Sequence, residues 1–210
     1  MASLEIIEQS ERRIVVKLKS VPLQYANALR RICLTGVPVF AIDDVVIIEN
    51  SSVLADEGVA HRLAMIPLKT DLTRFVEPSA CNCHSEVGCP HCRVMLMIDS
   101  GAADTTRTIT SAELTSEDDV VKPISDKIPI IELAPTQKLK LEAYARLGRG
   151  TEHAKWNSAN ISILTETGNP DDHILTVEST GALTSAQLLL AGVDELAKRL
   201  DGFKQIISSL

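Results

Sequence analysis

PLQYANALRRICLTGVP, residues 22–38, is the segment around which the rest of the chain is organised. On a 3.6-residue wheel Tyr25, Ala26, Ala28, Leu29, Ile32 and Cys33 fall on one side, and Gln24, Asn27, Arg30 and Arg31 on the other. The spacing predicts one amphipathic helix with marked ends. Pro22 suits the first helical position, Gly36 a left-handed C′ position, and Pro38 forbids continuation. Periodicity alone also fits an ordinary surface helix whose arginines favour the negative end of its dipole, so the other segments decide what the basic face is for.

The 210 residues allow one large domain or two small ones, and a hydrophobic content of 45% suffices for a buried core. No apolar run is long enough to span a bilayer, and the N-terminal MASLEIIEQSERR places charges where a signal peptide needs an apolar stretch. A folded protein of the cytoplasm is expected, or of the nucleus in a eukaryotic source, with no membrane partner. The net charge of -7 argues against broad affinity for nucleic acid, which comes from many cations neutralising phosphates. Aromatics at 3% leave little material for a base-stacking platform.

Ahead of the opening helix, residues 4–7 and 14–18 read as two strands joined by the polar turn Gln9-Ser10-Glu11-Arg12. In the second strand Ile14, Val16 and Leu18 alternate with Val15, Lys17 and Lys19, giving a buried face that packs on the helix. After the helix, FAIDDVVIIE, residues 40–49, is β-branched, and a second helix is expected over 55–65, ended by Pro67. Further strands are expected at 94–98, 107–110 and 138–144, so the middle of the chain is mainly β. Residues 115–135, with three prolines and mixed charge, are expected to be irregular.

The last segment repeats most regularly. Ala186, Leu189, Val193, Leu196, Leu200, Phe203, Ile207 and Leu210 recur in steps of three and four, the spacing that keeps one helix seam facing a partner helix. Thr184 and Gln187 form a capping box, and Asp194/Lys198 and Glu195/Arg199 are i,i+4 pairs. Gly192 and Gly202 each cost about 1 kcal/mol against Ala, so packing must stabilise the helix. Its seam either covers the chain's own sheet or, in part, another subunit, and the regular pattern favours the second.

Four of the five cysteines crowd into CNCHSEVGCPHC, namely Cys81, Cys83, Cys89 and Cys92. Clustered thiolates in a chain without a secretion signal point to one structural zinc ion with a closed sulfur shell. With no open coordination position there is no activated water, unless His84 or His91 replaces a ligand. His84-Ser85-Glu86 followed by Cys89-Pro90-His91-Cys92 imitates a deaminase signature, but too few residues separate base and ligands to admit a substrate. The repeated C-x-x-C spacing of ferredoxin clusters is absent. Cys33, on the apolar face of the opening helix, is a buried small hydrophobe.

Other chemistry is sparse. There is no glycine-rich phosphate loop, G-x-S-x-G elbow or H-E-x-x-H pair. Residues 146–156, RLGRGTEHAKW, concentrate charge, glycine and the only tryptophan, which suits a phosphate or nucleic-acid grip or simply a connecting loop with a Trp anchor. His61 beside Arg62 has no nucleophile paired with it. A stand-alone zinc-binding protein or enzyme using His84 or His61 therefore remains an alternative.

Three blocks in order carry a resemblance that covers nearly the whole chain. They are Asn27-Ala-Leu-Arg-Arg-Ile with Val37-Pro38, then Asp56-Glu57 with Ala60-His61-Arg62-Leu63 and Ile66-Pro67-Leu68, then Ala145-Arg146-Leu147-Gly148 with His153-Ala154-Lys155-Trp156. Together they resemble the D-type subunits of archaeal DNA-directed RNA polymerase, relatives of the third-largest subunit of eukaryotic RNA polymerase II and of the bacterial alpha N-terminal domain. The resemblance implies an α+β fold. A discontinuous dimerisation domain, residues 1–40 and 157–210, would bring a sheet and two helices together from both chain ends, around an inserted, mainly β domain over 41–156.

It further implies a subunit without chemistry of its own. Such a protein would heterodimerise with an L-type subunit as a platform for small N- and P-type subunits and the large catalytic subunits, without direct sequence-specific DNA contact. Tyr25, Leu29, Leu189, Val193, Leu196, Leu200, Phe203 and Ile207 are then expected at the dimer face, and Asn27, Arg30, Arg31, His61 and Arg62 toward the large subunits. Many archaeal relatives insert a domain with ferredoxin-like cysteines after the third block. Here TETGNPDDH, residues 165–173, is a short turn without cysteine, so no iron–sulfur cluster is expected. The bacterial reading fits less well, since a homodimer needs no zinc loop.

Overall fold

The computed structural model describes residues 2–85 and 88–209; Leu210 of the expected seam and Glu86 of the deaminase-like pattern lie outside the described residues. In chain order the elements are β1 (Ser3–Gln9), β2 (Arg13–Lys19), α1 (Leu23–Thr35), β3 (Val39–Asn50), α2 (Asp56–Ala64), β4 (Arg93–Asp99), β5 (Arg107–Thr110), β6 (Thr115–Ser116), β7 (Pro129–Leu133), β8 (Leu139–Gly148), β9 (Ala159–Glu166), β10 (His173–Ser179) and α3 (Ser185–Ser208). All strand pairs are antiparallel. The fold is thus mixed, with helices and antiparallel sheets. Among the described residues no helix is long and apolar enough to cross a membrane.

The chain divides into two compact units, Met1–Pro38 with Arg149–Leu210, and Val39–Gly148. The first is built from both chain ends, with sheet order β1-β2-β10-β9. Residues 149–156, placed by the sequence in the insert, belong to this chain-end unit, where Trp156 is buried.

The register of the sheet sets its faces. Leu4 lies opposite Leu18 and Ile6 opposite Val16, and those two lie opposite His173 and Leu175. Successive strand side chains alternate faces, so all six share one side. Val16, Leu18, His173 and Leu175 are buried there, yet every residue of β1 is exposed, with Leu4 and Ile6 at 49% and 53%. The face therefore extends beyond what its own helices cover.

Ala26, Leu29, Ile32 and Cys33 of α1 are buried, as the wheel predicts, but Tyr25 on the same predicted side is half exposed. Both expected ends differ in detail. Pro22 occupies the cap position with extended ψ 141°, where its fixed φ sets the entry and no N–H is needed. Gly36 is right-handed at φ -98°, ψ -26°, not left-handed. Its missing side chain serves proximity, because a Cβ there would come within 3.0–3.1 Å of Ile32.

The capping box opens α3: Gln187 N–H donates to Thr184 Oγ1 at 3.3 Å and Thr184 N–H to Gln187 Oε1 at 3.0 Å. Ser185, Leu188, Leu189 and Gly192 are buried, and Gly192 marks the crossing with α1, since a Cβ there would sit 2.8 Å from Cys33 Sγ. A 24-residue helix is about 36 Å long, more than the roughly 26 Å of an eight-residue strand or the roughly 19 Å across four strands. Its C-terminal half consequently leaves Leu200, Phe203, Ile206 and Ile207 exposed, and Val193 ahead of them is exposed as well.

The second unit has sheet order β3-β8-β4-β6 and a two-stranded β5-β7 sheet. Phe40, Ile42, Leu63, Leu96, Ile98, Leu139 and Leu141 form one core, onto which α2 packs through Val59 and Leu63. Residues 115–135 are not wholly irregular: β7 is a strand whose Ile130, Ile131 and Leu133 are buried. A proline is tolerated at the first position of a strand, so Pro129 permits β7 where proline content alone suggests a loop. β9 and β10, which flank the expected 165–173 turn, are further strands whose alternation in His173, Leu175 and Val177 is visible in the sequence.

Candidate functional site

The cysteine loop lies in the second unit between a single turn at Pro78–Ala80 and the start of β4. The Sγ atoms of Cys81, Cys83, Cys89 and Cys92 all lie within 4.8 Å of one another. The separations are 3.6 Å for Cys81–Cys89, 3.9 Å for Cys83–Cys92 and 3.8 Å for Cys89–Cys92. Four sulfurs about 2.3 Å from a tetrahedral zinc would stand about 3.8 Å apart, so the group fits one such ion.

Local backbone holds the set. The N–H groups of Cys92 and Arg93 both donate to the Cys89 carbonyl at 2.9 Å, closing a turn that places Cys89 and Cys92 on one side. Cys89 N–H points at Cys92 Sγ, 3.3 Å away. A Ser85 backbone N–H holds the Cys83 thiol down to about 7, whereas burial pushes Cys92 up to about 12. His84, with φ 49°, and His91 are exposed and stand outside the four-cysteine group. A closed sulfur shell has no position for a reacting water, so an ion held by these four sulfurs would be structural rather than hydrolytic.

Beside the loop, β3 carries a bulge at Asp43, between Ile42 and Asp44. A bulge lets two successive side chains reach one face. Asp43 Oδ2 meets Arg146 Nε at 2.6 Å, and Asp44 Oδ2 meets Arg93 Nη2 at 3.1 Å. Arg93 and Arg146 are directly opposed across β4 and β8, so each cation of a repulsive pair has its own carboxylate. Arg93 also lies over the Tyr144 ring, 4.1 Å from its centroid. Residue spacing singles out none of these partners, because the bulge is invisible in FAIDDVVIIE.

The residues expected at a dimer face fall in the chain-end unit. Leu29 and Leu189 are buried within it and Leu196 is half-buried, while Tyr25, Val193, Leu200, Phe203 and Ile207 are exposed, Phe203 at 61%. Leu188, outside the expected seam, is buried, and the exposed Leu4 and Ile6 of β1 add to the apolar surface. Asn27, Arg30 and Arg31 are in the same unit, with Arg30 Nε donating to Asn27 Oδ1 at 2.9 Å. His61 and Arg62 are exposed on α2 of the other unit, where Arg62 donates to the Pro129 carbonyl at 3.2 Å.

The 146–156 stretch turns inward. Arg149 Nη1 meets Glu195 Oε1 at 2.8 Å and also donates to the Gly36 carbonyl at the end of α1. Its N–H is met by Glu152 Oε1 at 3.1 Å, Lys155 stacks on Trp156 at 4.2 Å, and Trp156 is buried. Residues 146–148 finish β8, and 149–156 connect it to the chain-end unit with Trp156 as a buried anchor.

Residues 45–167 match the family of the RNA polymerase Rpb3/RpoA insert domain. The chain is 42% identical over 158 residues to DNA-directed RNA polymerase subunit Rpo3 of Methanosphaera stadtmanae, covering 74% of this chain and 58% of that protein. It is 45% identical over 158 residues to the Rpo3 subunit of Pyrococcus furiosus, covering 74% and 57%. With that of Aeropyrum pernix it shares 32% identity over 213 aligned positions, covering 99% and 69%. The chain thus spans under two thirds of the length of the first two relatives.

Proposed function

The chain belongs to the Rpo3 family of DNA-directed RNA polymerase subunits, and from that kinship we propose that it is a non-catalytic assembly subunit of a multisubunit DNA-dependent RNA polymerase. The chain-end unit heterodimerises with a smaller L-type subunit. The heterodimer is the platform for N- and P-type subunits and for the large catalytic subunits, in the cytoplasm and without sequence-specific DNA contact of its own. The same reading includes kinship with the eukaryotic third-largest subunit and the bacterial alpha subunit, which the match to the Rpb3/RpoA insert domain supports.

The observation that carries the proposal is the apolar stripe of α3. It is buried at Leu188, Leu189 and Gly192 and continues, exposed, through Val193, Leu200, Phe203 and Ile207. A run of large apolar side chains left in water costs about 1.5–3 kcal/mol per side chain relative to burial, which a partner removes. In this reading Tyr25, Leu29, Leu189 and Leu196 complete the dimer face, and Asn27, Arg30, Arg31, His61 and Arg62 turn toward the large subunits. Co-expression with an L-type subunit is expected to give a stable one-to-one complex by native mass spectrometry. A well-folded monomer that ignores that partner would overturn the proposal.

The metal is one structural zinc ion held by Cys81, Cys83, Cys89 and Cys92, not an iron–sulfur cluster. The sulfur spacing supports zinc. Elemental analysis of protein purified without added metal is expected to give one zinc per chain, and iron in its place would sink the assignment. The alternative of a stand-alone zinc-binding protein or enzyme draws only on this cluster, and the native mass of the assembly decides between them.

A further inference from the structure

We propose that Arg93 is the positioning residue that seats the four-cysteine loop on the insert sheet. The inference rests on the reading of that loop as a metal site, and three separate contacts carry it. First, the Arg93 N–H donates to the Cys89 carbonyl at 2.9 Å, so its backbone closes the turn between two of the sulfurs. Second, its side chain, only 19% exposed, reaches away from the loop across two neighbouring strands. It stacks on Tyr144 of β8 at 4.1 Å and pairs with Asp44 of β3 at 3.1 Å, and these two residues are themselves cross-strand partners.

Third, the loop backbone packs against the aliphatic stem of the same side chain. Gly88, at φ 80°, passes so near that a Cβ would meet Arg93 Cβ at 3.0 Å, Arg93 Cδ at 3.1 Å and Cys92 Sγ at 3.5 Å. The Arg93 side chain therefore touches the backbone of the loop along its stem and the ring of Tyr144 with its guanidinium. A loop with little core of its own gains a fixed orientation from the sheet through one planar cation. Lysine would keep the charge toward Asp44 but not the stacked plane. Groups that orient ligands without touching the metal typically change its affinity by about 10–100-fold when removed.

The test is a cobalt(II) titration of the full chain, in competition with a chromophoric chelator, for wild type, R93A, R93K, Y144F, Y144A and the R93A/Y144A double variant. All variants should show the same cobalt–thiolate bands, since the four sulfurs are unchanged. R93A and Y144A should each bind about tenfold more weakly. R93K should resemble R93A, Y144F should resemble wild type, and the double variant should be no worse than either single one. Wild-type affinity in R93A, or single losses that multiply in the double variant, would overturn the role of Arg93. Failure of the wild-type chain to take up one cobalt per chain overturns the metal reading and the positioning role with it.

Amide exchange gives a readout without metal. In R93A the amides of residues 88, 89 and 91–93 should exchange faster, while those of Val59 and Leu63 in the core of the same unit stay protected, which shows that the variant folds. Unchanged exchange at those loop amides also counts against Arg93.

Discussion

Arg149 Nη1 lies 2.8 Å from Glu195 Oε1, and both side chains are largely buried, at 17% and 12% exposure. The pair ties the segment that re-enters the chain-end unit to α3, and Glu195 holds Arg199 as well at 2.7 Å. Losing that carboxylate's charge removes two charge-assisted contacts, one of them to a largely buried guanidinium. Glu195→Gln is expected to cost about 1.5–3 kcal/mol in urea unfolding, against less than about 0.5 kcal/mol for Asp194→Asn on the exposed side of the same helix. Equal effects would show that the pair is a surface contact.

The two glycines of α3 should behave oppositely. Gly192→Ala places a methyl 2.8 Å from Cys33 Sγ and is expected to destabilise by about 1–3 kcal/mol despite the better helix propensity. A Cβ at Gly202 meets nothing within 4 Å, so Gly202→Ala should stabilise by up to about 1 kcal/mol. Adding Cys33→Ala to Gly192→Ala should recover part of the loss, because the sulfur is the obstacle. Thermal or urea unfolding measures all three.

Burial pushes the Cys33 thiol up to about 12 from an ordinary value of 9.0. The folded chain therefore keeps this proton where the unfolded chain loses it, and the stabilising contribution present below pH 9 declines as pH rises toward 12. Relative to Cys33→Ala, wild-type stability should fall by about 1.4 kcal/mol per pH unit in that window. At pH 8 Cys33 should resist alkylation until the chain unfolds. Reaction in the native chain would contradict its burial.

Neither ring nitrogen of the buried His173 has a hydrogen-bond partner among the described residues. Leu18 and Glu166 flank it in the sheet. A polar ring desolvated without compensation is a liability, so His173→Leu is expected to stabilise the chain by about 1–3 kcal/mol. A loss of stability would mean that the imidazole is used by something beyond the packing of this unit.

Phe203, at 61% exposure, and Leu200, at 49%, lie on the overhanging half of α3. Phe203→Asp should change the stability of the chain by less than about 0.5 kcal/mol, since the side chain is mostly exposed, yet abolish co-purification with an L-type subunit. Retained pairing would remove the overhang from the dimer face.

Most of the elements and the candidate ligand set are legible in the order of residues alone. Periodicity marks the buried face of α1, the capping box marks the start of α3, and the spacing of Cys81, Cys83, Cys89 and Cys92 marks a metal-sized cluster. These signals are local, fixed by propensity, capping and chain proximity within a dozen or so residues. β7 escapes such reading because a proline at the head of a strand looks the same in sequence as one in a loop.

Which of these features stay uncovered, and which partners they take, is settled by the folded chain. Gly192 matters for close approach to Cys33, and no local rule reports the distance between helices that are far apart in sequence. Arg149 reads as an exposed cation in RLGRGTEHAKW and becomes a strut to Glu195 only when the chain ends meet. Likewise Arg93 acquires Tyr144 and Asp44 through strand pairing and a bulge, 49 residues separating it from Asp44. Burial and charge pairing are set by what the folded backbone brings together, and that depends on long-range register rather than on neighbouring residues.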